Sequence, residues 1–229
     1  KIHTPAGKRW LEKATADAAA PKATAAAPAT KAKAGKPAPS GAGEVRIIGG
    51  QWRRTRLPVA QHPGLRPTPD RVRETLFNWL APYVEGARVL DPFAGSGALL
   101  LEALSRGASR GLALELNPAA ASALRGNLEL LRAGNAEVRQ ADALQHLQGA
   151  STEPFDLVFL DPPFHRDLLA PACAQLEGRG WLAADAWIYT ESESAPSTLG
   201  LPGNWRLHRE KHTGQVHYAL WQRQPATPD

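Results

Sequence analysis

Four consecutive residues, Asp161-Pro162-Pro163-Phe164, close a largely apolar run at 155–160 and carry the most explicit chemistry in the chain. The two prolines fix an extended, rigid turn after a strand. Pro162 has no N–H, yet its carbonyl stays free to accept a hydrogen bond. The Asp161 carboxylate adds a second acceptor, and Phe164 adds an aromatic face. Two acceptors beside a stacking wall make a planar slot that suits an exocyclic amino group on a nucleobase. Taken alone, the same residues also describe a strand-ending turn with a core phenylalanine, so the neighbouring motifs must decide.

Those motifs supply acids. Asp91, Glu115 and Asp161 each end an apolar stretch, and Asp142 lies just past another. A carboxylate there is costly unless solvated or paired, and several on one sheet edge favour a ligand site over a set of caps. Asp91 runs into Pro92-Phe93-Ala94-Gly95-Ser96-Gly97, whose glycines permit a tight turn and close approach of backbone to ligand. A dinucleotide fingerprint wants a third glycine where this chain has Leu100, and a phosphate loop wants a Gly-Lys-Ser/Thr that is absent. Asp91 would repel a pyrophosphate but suits a ligand carrying an ammonium and a sulfonium; S-adenosylmethionine is such a ligand. Glu115, followed by Leu116 and Asn117, stands at about the spacing of a ribose-binding acid in a βαβ unit. Asp142-Ala143 is placed to take the adenine amino group, and Asp142 equally suits the cap of a helix at 143–147. The candidate cofactor residues are therefore Asp91, Phe93, Ala94, Gly95, Ser96, Gly97, Glu115, Leu116, Asn117, Asp142 and Ala143.

These side chains need a scaffold that brings strand ends together. Apolar strands are expected at 88–91, 111–115, 136–139, 155–161 and 187–191, with helical stretches between them such as 98–106 and 118–132. Such alternation implies an α/β fold with a parallel sheet and helices on both faces. In such sheets ligands bind outside the carboxyl ends of the strands. The end of the chain changes character: 205–210 and 216–222 flank Thr213-Gly214, which reads as an antiparallel hairpin at a sheet edge. Upstream, Val45-Arg46-Ile47-Ile48 reads as a short strand before Gly49-Gly50. Thr68 is expected to cap a helix with Pro69 at its first position and Asp70 in its first turn, and Val72, Leu76, Trp79, Leu80 and Tyr83 continue at helical spacing.

Composition narrows the class. The 229 residues are 43% hydrophobic, enough for a real core, and the single Cys173 excludes a disulfide framework and a cysteine metal site. A reducing cytoplasm fits, no run is long enough to span a membrane, and no secretory signal is evident. The chain has no methionine, not even at position 1, so the natural start is expected upstream. The net charge of +5 is unevenly spread. Residues 1–43 hold 8 Lys+Arg against 2 Asp+Glu, and 44–229 hold 19 against 20. The excess lies wholly in an Ala/Lys/Pro-rich segment that is expected to be a disordered tail, or a polycationic arm with non-specific phosphate attraction. The expected division is a tail at 1–43, an RNA-contacting extension at 44–87, the catalytic domain at 88–224, and a short tail at 225–229.

In this order, Asp91-Pro92-Phe93-Ala94-Gly95-Ser96-Gly97, Glu115, Asp142-Ala143 and Asp161-Pro162-Pro163-Phe164 resemble the class I Rossmann-like methyltransferases that modify amino groups. Closer still, the chain resembles the RsmD family, bacterial 16S ribosomal RNA guanine-N2 methyltransferases. Arg46-Ile47-Ile48-Gly49-Gly50, Arg66-Pro67-Thr68, Asp70-Arg71-Val72-Arg73-Glu74, Leu101 to Ala108 and Arg209-Glu210-Lys211 carry that likeness, over about 44–224. Pro92 departs from an expected leucine. The resemblance implies a mostly parallel seven-stranded sheet and one S-adenosylmethionine. Asp91, Gly95 and Gly97 would line its methionine part, Glu115 its ribose and Asp142 its adenine. Asp161, Pro162, Pro163 and Phe164 would hold the target guanine of the small ribosomal subunit. No metal is needed, and a monomer is expected. Residues 46–73 hold seven arginines against one acid, so Arg46, Arg53, Arg54, Arg66, Thr68, Arg71 and Arg73, with Arg209 and Lys211, are the candidate RNA contacts, the first patch lying beside the Asp161 slot. Two rivals stand: a DNA amino-methyltransferase acting on adenine N6 or cytosine N4, and a non-catalytic RNA-binding or assembly factor on the same fold.

Overall fold

The computed structural model describes residues 43–60, 68–151 and 153–225. The basic segment, Arg66 and residues 226–229 lie outside the described residues. Strands β1 (Gly43–Arg46) and β2 (Arg56–Val59) pair antiparallel, and α1 (Asp70–Leu80) follows. Then β3 (Arg88–Asp91), α2 (Ala98–Ser105), β4 (Arg110–Glu115), α3 (Pro118–Leu130) and β5 (Ala136–Gln140) alternate. They are followed by α4 (Ala143–Leu147), β6 (Phe155–Leu160), α5 (Leu169–Gly178) and β7 (Leu182–Ser192), and the hairpin β8 (Trp205–Thr213) and β9 (Val216–Arg223) ends the fold.

Among the described residues, seven strands form one sheet in the order β5-β4-β3-β6-β7-β9-β8. The first five are parallel and the hairpin strands antiparallel. This is the expected mixed sheet of a Rossmann-like methyltransferase. β7 begins at Leu182, five residues before the apolar stretch at 187–191, because Phe155 pairs with Leu182 across a bulge.

The period of two along each strand sorts the core into two layers. Val89, Ala113, Leu157, Phe159, Trp187 and Tyr189 pack with α1, α2 and α3. Leu90, Leu112, Leu114, Val158, Leu160 and Ile188 pack with α4 and α5. Continuing that alternation to the strand ends puts Asp91, Glu115, Asp161 and Glu191 on the α1–α3 face, at the carboxyl edge.

The β1–β2 hairpin is built into this core, since Val45, Ile47, Leu57 and Val59 share one cluster with Leu101 and Leu104 of α2. Glu102, fully buried, fastens it: its carboxylate accepts the N–H groups of Ile48 and Gly49 at 2.8 Å each and pairs with Arg106 at 2.7 Å. Ser105 accepts from Trp52 and donates to the Gly49 carbonyl. Gly50 has φ +75°, and a Cβ there would lie 1.8 Å from the Ser105 carbonyl oxygen, so only glycine fits.

Candidate active site

Asp91 is 2% exposed, at the end of a strand with neighbours on both sides. Backbone hydrogen bonds from Phe93 and Leu100 partly satisfy it, but burial, then the charges of Asp161 and Glu115, push its carboxyl up to about 8. The loop after it turns through Gly95 at φ +52° and Gly97 at φ +75°, and a side chain at Gly97 would collide with Leu124 at 2.2 Å.

Glu115 draws this loop in. Its Oε2 accepts the Gly95 N–H and its Oε1 the Asn117 N–H, each at 2.7 Å. A carboxylate has about four acceptor sites, so the outward lone pairs remain for a pair of hydroxyls. Asn117 caps α3, accepting from Ala119 and Ala120. Beside it Leu116 is 66% exposed, a large apolar side chain left in water at the carboxyl edge of the sheet. Asp142 caps α4 through Gln145 N at 2.8 Å; the capping role is therefore filled, and Asp142 stays exposed. These residues fit S-adenosylmethionine: a buried acid for the cationic end, an acid with spare acceptors for the ribose, and apolar cover from Leu116 and half-buried Phe93 for the base.

Two parallel strands further on lies the second half of the site. Asp161 follows Leu160, whose register partner on β7 is Thr190, so Asp161 and Glu191 stand side by side on adjacent strands. Asp161 is half-buried, Pro162 buried, and Phe164 37% exposed. The turn after Phe164 passes through His165 at φ +58° and Asp167 at φ +49°. It is tied to the end of β7, where Glu193 accepts from the His165 N–H at 3.2 Å and contacts its ring at 2.9 Å.

Thr68 corrects an expectation. It does not cap α1: Pro69 holds the cap position and no side chain caps there. Thr68 is buried, and its hydroxyl donates to Asp161 Oδ2 at 3.2 Å. The hydroxyl is thus engaged with Asp161 rather than presented on the surface. Asp161 Oδ1 accepts nothing among the described residues. Burial raises the Asp161 carboxyl, with the Thr68 hydrogen bond opposing.

Arg73 corrects another. It is 1% exposed. Its guanidinium donates to the Thr68 and Arg46 carbonyls and to Asp70, and lies 3.6 Å from Glu102. It is a strut that holds Thr68 in place, and its burial keeps it from phosphate. The expected arginine patch is also split. Arg46 pairs with Asp70 and, like exposed Arg71, lies close in sequence or contact to Thr68. Arg53 and Arg54 belong to the turn docked on Ser105, at the far end of α2 from the glycine loop, about 12 Å away along a helix of this length. Lys211 pairs with Tyr218, which pairs with Glu191, so Lys211 lies level with the Asp161 slot on the exposed edge strand β8, and Arg209 follows the same strand.

Glu191 and Tyr189 were not among the sequence candidates. The Tyr189 hydroxyl donates to Glu191 Oε1 at 2.8 Å, and both side chains are buried. The signal was present, because Glu191 ends an apolar stretch as Asp91, Glu115 and Asp161 do.

The chain is also similar to known proteins. The family described as Conserved hypothetical protein 95 matches residues 45–222. Ribosomal RNA small subunit methyltransferase D of Escherichia coli is 55% identical over 185 residues, covering 81% of this chain and 93% of that protein. The Haemophilus influenzae protein of the same name is 49% identical over 187 residues, covering 80% and 96%. A solved structure of the Escherichia coli protein yhhF is 54% identical with a TM-score of 0.73, covering 80% of this chain and 99% of that one.

Proposed function

The chain belongs to the RsmD family of methyltransferases, and from that premise we propose that it uses S-adenosylmethionine to methylate the exocyclic N2 amine of a guanine in 16S ribosomal RNA, within the cytoplasm. The printed name of the relatives supports ribosomal RNA of the small subunit as the substrate. The observation that carries the reading is the Asp161 carboxylate, with Oδ2 held by Thr68, beside the exposed Phe164 ring and on the same sheet edge as Asp91 and Glu115. Phe164 stacks on the flipped guanine. Asp161 Oδ1 and the Pro162 carbonyl accept the two N2–H bonds.

Bound S-adenosylmethionine supplies an electrophilic methyl group on a sulfonium. The N2 lone pair is delocalised into the ring and is a poor nucleophile. Two fixed acceptors orient that lone pair outward from the slot, and such positioning contributes several kcal/mol of the barrier. Asp161 then stabilises the nitrogen cation and accepts its proton. Asp91 holds the cationic end of the cofactor, Glu115 the ribose hydroxyls and Asp142 the adenine amino group. Arg46, Arg71, Arg209 and Lys211 contact phosphates around the slot.

The test is transfer of a radiolabelled methyl group to small ribosomal subunits, to deproteinised 16S RNA and to duplex DNA, followed by nucleoside analysis. Label in N2-methylguanosine is expected. Label in DNA, or on an adenine or cytosine amine, overturns the reading. Asp161→Ala abolishes turnover and leaves cofactor affinity nearly unchanged; near-normal turnover would refute the role of Asp161.

A further inference from the structure

We propose that Glu191 is a positioning residue for methyl transfer, acting through Thr68 to keep the Thr68 hydroxyl proton directed at Asp161. The inference rests on Asp161 being the acceptor of the substrate amine.

A threonine hydroxyl has one proton and two lone pairs. Here it donates to Asp161 Oδ2 at 3.2 Å, and Glu191 stands beside Asp161 on the adjacent strand, where the same hydroxyl also acts on its carboxyl. It cannot donate to both. Glu191 Oε1 is already served by the Tyr189 hydroxyl at 2.8 Å. The arrangement that satisfies every group is directional. A protonated Glu191 donates to the Thr68 oxygen, Thr68 donates to Asp161, and Asp161 stays ionised with Oδ1 free for the amine. If Glu191 ionises, two carboxylates compete for one proton and Asp161 loses its fixed orientation part of the time.

The surroundings favour the protonated form. Glu191 is 5% exposed. It faces Tyr189 on its own strand, Tyr218 on β9 and Asp161 on β6, with Asp91 beyond. Arg73, which donates to the Thr68 carbonyl, is bound to Arg46 and Asp70 as well, and no ion pair to Glu191 is present among the described residues. Burial, then the Asp161 charge, pushes the Glu191 carboxyl up to about 8, outweighing the hydrogen bonds of Tyr189 and Thr68, which favour the ionised form. Being an acid with a raised pKa, it is protonated below that range and loses the proton above it.

The experiment measures kcat and KM for the RNA substrate in Glu191→Gln and Glu191→Ala between pH 6 and pH 9, at saturating cofactor, with Asp161→Ala in parallel. Glutamine keeps the volume, accepts from Tyr189 and donates an amide N–H to Thr68. Glu191→Gln retains wild-type kcat at pH 7 and loses the alkaline fall in rate that the wild type shows as Glu191 ionises. Glu191→Ala lowers kcat roughly tenfold to a hundredfold with KM little changed, the size expected of a misplaced reacting group. An alkaline fall that persists unchanged in Glu191→Gln overturns the proposal, and so does wild-type kcat in folded Glu191→Ala. Where alanine prevents folding, the isosteric glutamine variant alone decides. An active Asp161→Ala would instead sink the role of Asp161; an inactive Asp161→Ala beside a fully active Glu191→Ala sinks only the role of Glu191.

Discussion

Cofactor binding should expel a proton from Asp91. The carboxyl is 2% exposed and pushed up to about 8, so the free protein carries it mostly protonated at neutral pH. A ligand that places an ammonium and a sulfonium beside it needs the ionised form. With that value, about 1% of Asp91 is ionised at pH 6 and about 9% at pH 7, so affinity for S-adenosylmethionine rises about ninefold across that unit. At pH 7 roughly 1 kcal/mol of binding energy goes into removing the proton. The range stops at pH 7 because the ligand's own α-amino group begins to titrate above it. Calorimetry in two buffers of different ionisation enthalpy reads the proton directly: about 0.9 is released per cofactor bound at pH 7. Asp91→Asn binds more weakly, with no pH slope and no proton release. The sign for the cofactor-free fold follows from the same group. A raised acid contributes stability that is present at low pH and lost as pH rises through the folded pKa, so Asp91→Asn raises the urea midpoint more at pH 8.5 than at pH 5. Equal affinity at pH 6 and pH 7 in the wild type, or a heat independent of buffer, refutes the reasoning.

Two other outcomes follow from the geometry. Arg71→Glu and Lys211→Glu weaken RNA binding and reduce its salt slope by about 0.7–0.9 per lost phosphate contact; an unchanged slope would remove these residues from the interface. Glu102→Ala leaves two part-buried N–H groups and the Arg106 guanidinium without their acceptor and removes the carboxylate that stands 3.6 Å from the buried Arg73. It costs about 3–5 kcal/mol, read as a lowered denaturation midpoint, and a midpoint within 0.5 kcal/mol of wild type would show that the hairpin is fastened by its apolar side chains alone.

Much of the site could be read from strand chemistry. Asp91, Glu115 and Asp161 each stop an apolar run, and alternation along parallel strands needs no tertiary knowledge to put their side chains on one face. The glycine loop was legible because glycine is demanded by backbone geometry. Thr68 was not. Thr-Pro-Asp before a helix is strong local capping chemistry, yet the hydroxyl serves a residue 93 positions away. Arg73 was misread for a different reason. Charge density counts arginines without asking which face they occupy, whereas the positions of Arg73, Leu76, Phe77 and Leu80 put Arg73 on the buried stripe of α1. Glu191 had the same signature as the other acids, but 187–191 was read only as a strand.

The strand order has a consequence for the time course of folding. β9 lies between β7 and β8, so Tyr218 pairs with Glu191 only after the chain has been made through residue 218. Trp79 of α1 stacks on that tyrosine at 5.7 Å, and Val45 of the first strand shares a core with Leu220 of the last. Closing such distant contacts is slow relative to local helix formation. On the ribosome, β3 to β7 can assemble first, but the wall beside Glu191 waits for β9. A nascent chain released short of Val216 therefore carries the glycine loop and the Asp161 turn but lacks the strand that covers the far side of the slot.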